Sequence, residues 1–177
     1  RFFRIHLGLI ISLGAAHLFV WLAQSRGHAY LRGFGPMFNM NRENNFPSLF
    51  SGLALFLAGV LMFETARRVR PVGASRMTFG WILLGAAFVF LAIDEVMALH
   101  EQVHGWLPQG MQASGRWHYA WVGPYVLGAL LLGALLFHFW WNLPPLTRGR
   151  LAIAGAVFVL GAAGLEVVAG YLGHSYG

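Results

Sequence analysis

Five long apolar runs, separated by stretches where Arg, Asn, Gly and Pro collect, give the chain its rhythm. They cover residues 5–24, 47–66, 79–105, 119–141 and 151–172, each near the ~20 residues that a helix needs to cross a bilayer's hydrocarbon. The punctuation agrees with helices. Asn45 and Pro47 suit the start of the second run, Asn as cap and Pro in the first turn. Gly105 suits the end of the third, Pro124 predicts a kink early in the fourth, and Pro144-Pro145 breaks the chain before the fifth. Ser48 and Gly52, then Ala54 and Ala58, offer small faces for close helix contact. The pattern predicts an all-α, polytopic membrane helix bundle of five transmembrane helices in a single domain, 1–177, with no internal repeat.

Composition strengthens this reading. The chain is 58% hydrophobic and 10% charged, with a mean hydropathy of +0.61, where soluble domains carry about 25% charged residues. All of the positive charge is arginine, and its placement is asymmetric. Arg1, Arg4, Arg67, Arg68, Arg70, Arg76, Arg148 and Arg150 fall on one side of a five-helix topology; Arg26, Arg32, Arg42 and Arg116 fall on the other. The positive-inside rule therefore predicts a cytoplasmic N-terminus. The lipid bilayer is the expected partner, and a nucleic-acid partner is excluded because no basic stripe lies on a soluble domain. The absence of cysteine excludes disulfides and thiolate chemistry. The first run is long and lacks an A-x-A site, which predicts a retained helix.

The candidate chemistry concentrates in one stretch, from Ile93 to His104. On a continuous helix Asp94, Met97, Glu101 and His104 share a face with His100 beside them, while Glu95 lies elsewhere on the circumference. Ionisable groups at membrane depth mark a site by default. The predicted topology brings His17, His118 and Glu166 to the same outer half. It also brings the 25–45 loop, whose Arg42 and Glu43 either reach the cluster as a lid or serve local structure. Glu166 stands alone in an apolar helix, where an unpartnered charge costs at least ~2.5 kcal/mol.

Three readings of the cluster compete. His100-Glu101-Gln102-Val103-His104 matches H-E-x-x-H, in which two histidines hold Zn and the glutamate acts as base. Glu101 and His104 also form Glu-x-x-His, the ligand spacing of di-iron helix bundles. The third reading is a structural network of Asp94, Glu101 and His104 with Arg42, water and helix ends. Under the metal readings, the divalent ion is Zn or Fe, held by His100, His104, Glu101, Glu166 and Asp94, with Glu101 or Asp94 as the base.

Asn41-Arg42-Glu43-Asn44-Asn45-Phe46-Pro47-Ser48, Ile93-Asp94-Glu95 with His100-Glu101, and Gly164-Leu165-Glu166 together resemble a group of uncharacterised bacterial multi-pass membrane proteins. That group shares a Glu-x-Asn-x-Pro stretch, an Asp-Glu-x4-His-Glu segment and a late Gly-Leu-Glu. The resemblance implies a bacterial cytoplasmic (inner) membrane and singles out Glu43, Asp94, Glu95, His100, Glu101 and Glu166. It leaves His104 outside the shared pattern. The expected function is a metal-dependent hydrolase acting on a lipid-like substrate. The alternative is a noncatalytic accessory subunit of a larger complex, or a homo-oligomer, joined through Gly/Ala-rich helix faces.

Overall fold

The computed structural model describes residues 2–28, 31–40, 42–70, 75–102 and 122–161. All regular structure among them is helical: α1 (Phe2–Ser25), a 3₁₀ turn (Leu31–Gly33), α2 (Phe34–Phe38), α3 (Phe46–Val69), α4 (Ser75–Met97), α5 (Leu99–Gln102), α6 (Val122–Trp141) and α7 (Pro145–Val159). Four helices among the described residues are long and apolar enough to cross a membrane, over Phe3–Ser25, Phe46–Val69, Arg76–Met97 and Gly123–Trp141. The 24 residues of α3 span roughly 36 Å at 1.5 Å per residue, more than the ~30 Å hydrocarbon core.

The surfaces of these helices are as apolar as their contacts. Leu130 and Leu135 are 67% and 71% exposed, and Ile11, Leu53, Phe79 and Ile153 are similarly uncovered. Water would forfeit about 1.5–3 kcal/mol for each such side chain relative to burial. An apolar solvent forfeits none of it. The chain is therefore a multi-pass membrane protein.

Contacts divide the chain into two compact units, Arg1–Phe63 with Gly85–Leu99, and Glu64–Leu84 with His100–Gly177. In the first unit, α1 ends in a left-handed glycine cap. Gly27 has φ 85°, its N–H donates to Gln24 O, and the His28 N–H donates to Ala23 O, the double bond of a Schellman motif. The chain returns through α2, whose Phe34 meets Phe19 edge-on and stacks on Phe38, which stacks in turn on Phe46. α3 and α4 then meet where side chains are small. A Cβ on Gly59 would lie 2.9 Å from Val89 Cγ2 and 3.0 Å from Gly85 O; one on Gly85 would lie 3.1 Å from Gly59 O. Gly52 faces Ala92 O and Val96 in the same way. Membrane helices gain their association energy from such approach, because lipid tails compete for every larger apolar side chain. The expected Ser48–Gly52 face is buried and continues through Gly59, whereas Ala54 and Ala58 are only half-buried.

The second unit has its own apolar centre. Leu136, Phe139 and Leu143 are buried, with Met77, Trp81, Leu84 and Leu151 against them. Trp81 meets Phe139 edge-on, and Phe139 also fills the place of a Cβ on Gly80. Pro145 starts α7 directly, with Pro144 extended before it. The helix thus begins six residues earlier than the apolar run, since proline's fixed φ is already helical at N1. Trp140 Nε1 donates to Arg148 O across this corner.

One departure from the expected elements changes the chemistry. The pattern predicts one helix over 79–105, but α4 starts at Ser75, stops at Met97, and the four residues of α5 follow. Between them Ala98 takes the left-handed conformation, φ 49°. The shared face expected for Asp94, Met97, Glu101 and His104 required unbroken 3.6-residue periodicity, which ends at this residue.

Candidate functional site

The buried polar residues described in the first unit lie in the loop before α3, at the start of α3 and near the end of α4. Asn39, Asn45, Ser48 and Asp94 are all buried, in a segment otherwise packed with aromatic and aliphatic groups. Asn45 is the hub. Its Nδ2 donates to Asn39 O at 2.7 Å and to Arg42 O at 2.6 Å. Its Oδ1 accepts from Ser48 N at 3.1 Å and from Ser48 Oγ at 3.2 Å. An amide side chain has two donor hydrogens and two acceptor lone pairs, and Asn45 uses all four. The bond from Ser48 N is the N-cap of α3, as the Asn45–Pro47 spacing predicts. The two Nδ2 bonds fasten the preceding loop onto the helix.

Glu43 is half-buried, and its Oε2 lies 3.4 Å from Ser48 Oγ, whose single hydrogen is shared with Asn45 Oδ1. Its carboxylate thus stands at the positive end of the α3 dipole. The Glu95 side chain comes within 3.8 Å of a Cβ built on Gly52, placing it against the second turn of α3. Asp94 is 6% exposed; Asp94, Glu95 and Glu43 all have interaction partners. An open groove of about 330 Å³ is lined by Met37, Asn44, Asn45, Phe46, Ser48, Leu49 and Val96.

Two expected site residues make contacts within the loop and to α1. His17 accepts from Met40 N through Nδ1 at 3.1 Å, across 23 residues of sequence, which pins the returning loop to α1. Arg42 offers its carbonyl to Asn45, while its side chain is exposed and makes no ion pair among the described residues. In the second unit, His100 is half-buried on α5 with its ring edge-on to Tyr125 of α6 at 6.4 Å. His104, His118, Glu166 and the side chain of Glu101 lie outside the described residues. Among the described residues, no three His, Asp or Glu side chains are grouped to hold a metal.

A family model described as a domain of unknown function, DUF8692, matches residues 8–177. The chain belongs to this family. Comparison with curated proteins and with solved structures gives no match. Membership in DUF8692 therefore spans nearly the whole chain and carries no activity with it, and function must be argued from the residues.

Sequence reasoning treated Ser48 as a packing residue and Asn45 as a cap, so the polar hub they build with Asn39 was missed. The Asn-x-x-Ser spacing signals the cap. Nothing local signals the loop carbonyls, which come from three and six residues upstream. Tyr125, the ring beside His100, was missed for a similar reason: it reaches α5 from a helix more than 20 residues away in sequence.

Proposed function

We propose that this DUF8692 protein is a five-span protein of a bacterial inner membrane, its N-terminus cytoplasmic, with an outward-facing acidic and histidine cluster that binds a divalent metal. The observation that carries the reading is Asp94. It is a carboxylate buried in the last turn of an apolar spanning helix, and such groups are kept at membrane depth for a function. His100, Glu101, His104 and Glu166 complete the ligand set, with Glu43 and Glu95 supporting it. Zn or Fe fits these nitrogen and oxygen donors. As an enzyme, the protein would use metal-activated water to attack a lipid-like ester or amide, with Glu101 or Asp94 accepting the water's proton.

A specific observation favours a second reading, the noncatalytic subunit. Gly8 and Gly14 on α1, and Gly123, Gly128 and Gly133 on α6, have nothing within 4 Å of a built Cβ. Open glycine positions of this kind suit contact with further helices, of other subunits or of a second copy.

One preparation separates the two. The full chain is purified from native membranes, and its metal content and co-purifying proteins are measured together. The metal reading expects stoichiometric metal, lost in Glu101→Gln and in Glu166→Gln, with the double variant losing less than the sum because the residues share one ion. A metal-free protein held tightly in a larger complex would replace that reading with the subunit.

A further inference from the structure

The second unit has a groove that the acidic cluster does not use. The start of α4 and the end of α6 leave about 750 Å³ open between them. Phe79, Leu135, Leu136 and Phe139 are its apolar lining and Arg76, His138 and Asn142 its polar lining, with Arg76 and Asn142 nearest the helix termini. Leu135 lies six residues before Trp141, the end of α6, roughly 9 Å along the helix at 1.5 Å per residue, and Asn142 follows that end. The groove therefore has Arg76 and Asn142 toward the helix ends, with Phe79 and Leu135 farther along the helices.

Charge adds a second, independent observation. Arg67, Arg68, Arg70, Arg76, Arg148 and Arg150 all belong to this unit. Glu64 is taken by Arg68 at 3.0 Å and Arg67 at 3.7 Å. Arg76 is exposed and makes no ion pair among the described residues. Arg148 lies over the rings of Trp140 and Trp141, at 5.8 and 5.1 Å. Tryptophan with arginine is the signature of the membrane–water boundary, so Arg76 and Asn142 stand at headgroup level and Phe79 and Leu135 at acyl-chain level.

We infer that this groove binds one anionic phospholipid, its acyl chain along Phe79, Leu135 and Phe139 and its phosphate on Arg76, with His138 and Asn142 beside it. Basic pockets between membrane helices hold anionic headgroups in this manner. A zwitterionic lipid would bring no net charge to Arg76, and an apolar partner helix would leave it facing hydrocarbon. The inference rests on α4 and α6 crossing the bilayer. It is independent of the metal reading, which uses none of the groove residues.

The test is native mass spectrometry of the delipidated full chain in neutral detergent, titrated with phosphatidylglycerol and with phosphatidylcholine of the same acyl chains. The wild type should hold one phosphatidylglycerol more tightly than phosphatidylcholine, by roughly fivefold or more. Arg76→Gln should abolish that preference, and Leu135→Trp, which fills the groove from its exposed wall, should weaken both lipids. Arg26→Gln, a control for overall charge, should leave the preference intact. Equal binding of the two lipids, or an unchanged preference in Arg76→Gln, would overturn the proposal. So would an equal loss in Arg26→Gln, full competition by inorganic phosphate alone, or normal lipid binding in Leu135→Trp. Arg76 and Leu135 are both exposed, so elution volume and circular dichroism should confirm that the variants fold.

Discussion

Replacing Asn45 by aspartate keeps the shape of the side chain and exchanges its NH₂ for an oxygen. As an N-cap the substitution is nearly neutral, since Asn and Asp rank together at that position. The structure predicts otherwise. The oxygen that keeps the cap still accepts from Ser48 N and Oγ. The other oxygen would face Asn39 O and Arg42 O, which receive the Nδ2 donors at 2.7 and 2.6 Å. Asn39 O would keep the Arg42 N–H at 3.1 Å, but each carbonyl would then face an oxygen where it now has a donor, at a cost of about 1–3 kcal/mol per contact. The Arg42 contact is only partly buried, so water can relieve some of its share, and the total comes to roughly 2–4 kcal/mol. For a chain of this length that corresponds to a drop in melting temperature of roughly 5–15 °C. The assay is tryptophan-fluorescence melting in one detergent at a fixed scan rate, with Asn45→Ala beside it. Asn45→Ala should also fall, having lost the cap as well. If Asn45→Asp melts with the wild type while Asn45→Ala falls, Asn45 is only a cap and the loop is fastened by other means.

Three further expectations concern the helices and their orientation. Gly59→Ala should destabilise by about 1–3 kcal/mol, because the new methyl meets Gly85 O and Val89; Gly133→Ala, with open space around it, should be neutral or gain up to ~1 kcal/mol of helix propensity. Equal melting temperatures for the two would contradict the α3–α4 contact. Ala98→Gly should be neutral or stabilise by about 1 kcal/mol, because it relieves a left-handed alanine; a loss comparable to a broken helix would mean that α4 and α5 are continuous. The proposed orientation makes Ser75 cytoplasmic and Ser114 external, so single cysteines introduced there should differ when an impermeant reagent is added to intact cells. Labelling at Ser75 alone would invert it.

Much of this protein follows from local pattern. Apolar run length determines where spanning helices lie, because the bilayer sets a minimum length and demands internal backbone pairing. Glu64 with Arg68 and Asn45 with Ser48 are legible at three- and four-residue spacing, since one helical turn joins them. The tertiary structure decided the rest. Gly59 and Gly85 are 26 residues apart, and no local rule says which of the chain's many glycines will meet. The break at Ala98 runs against sequence expectation, since alanine is the best helix former and stands where a glycine would have announced the stop. That single dihedral interrupts the helical periodicity from which the shared face was predicted. The Asn45 hub needs carbonyls presented by a folded loop, and the groove at Arg76 needs α4 beside α6. Both are properties of which helices touch, and period and composition along one helix carry no information about its neighbours.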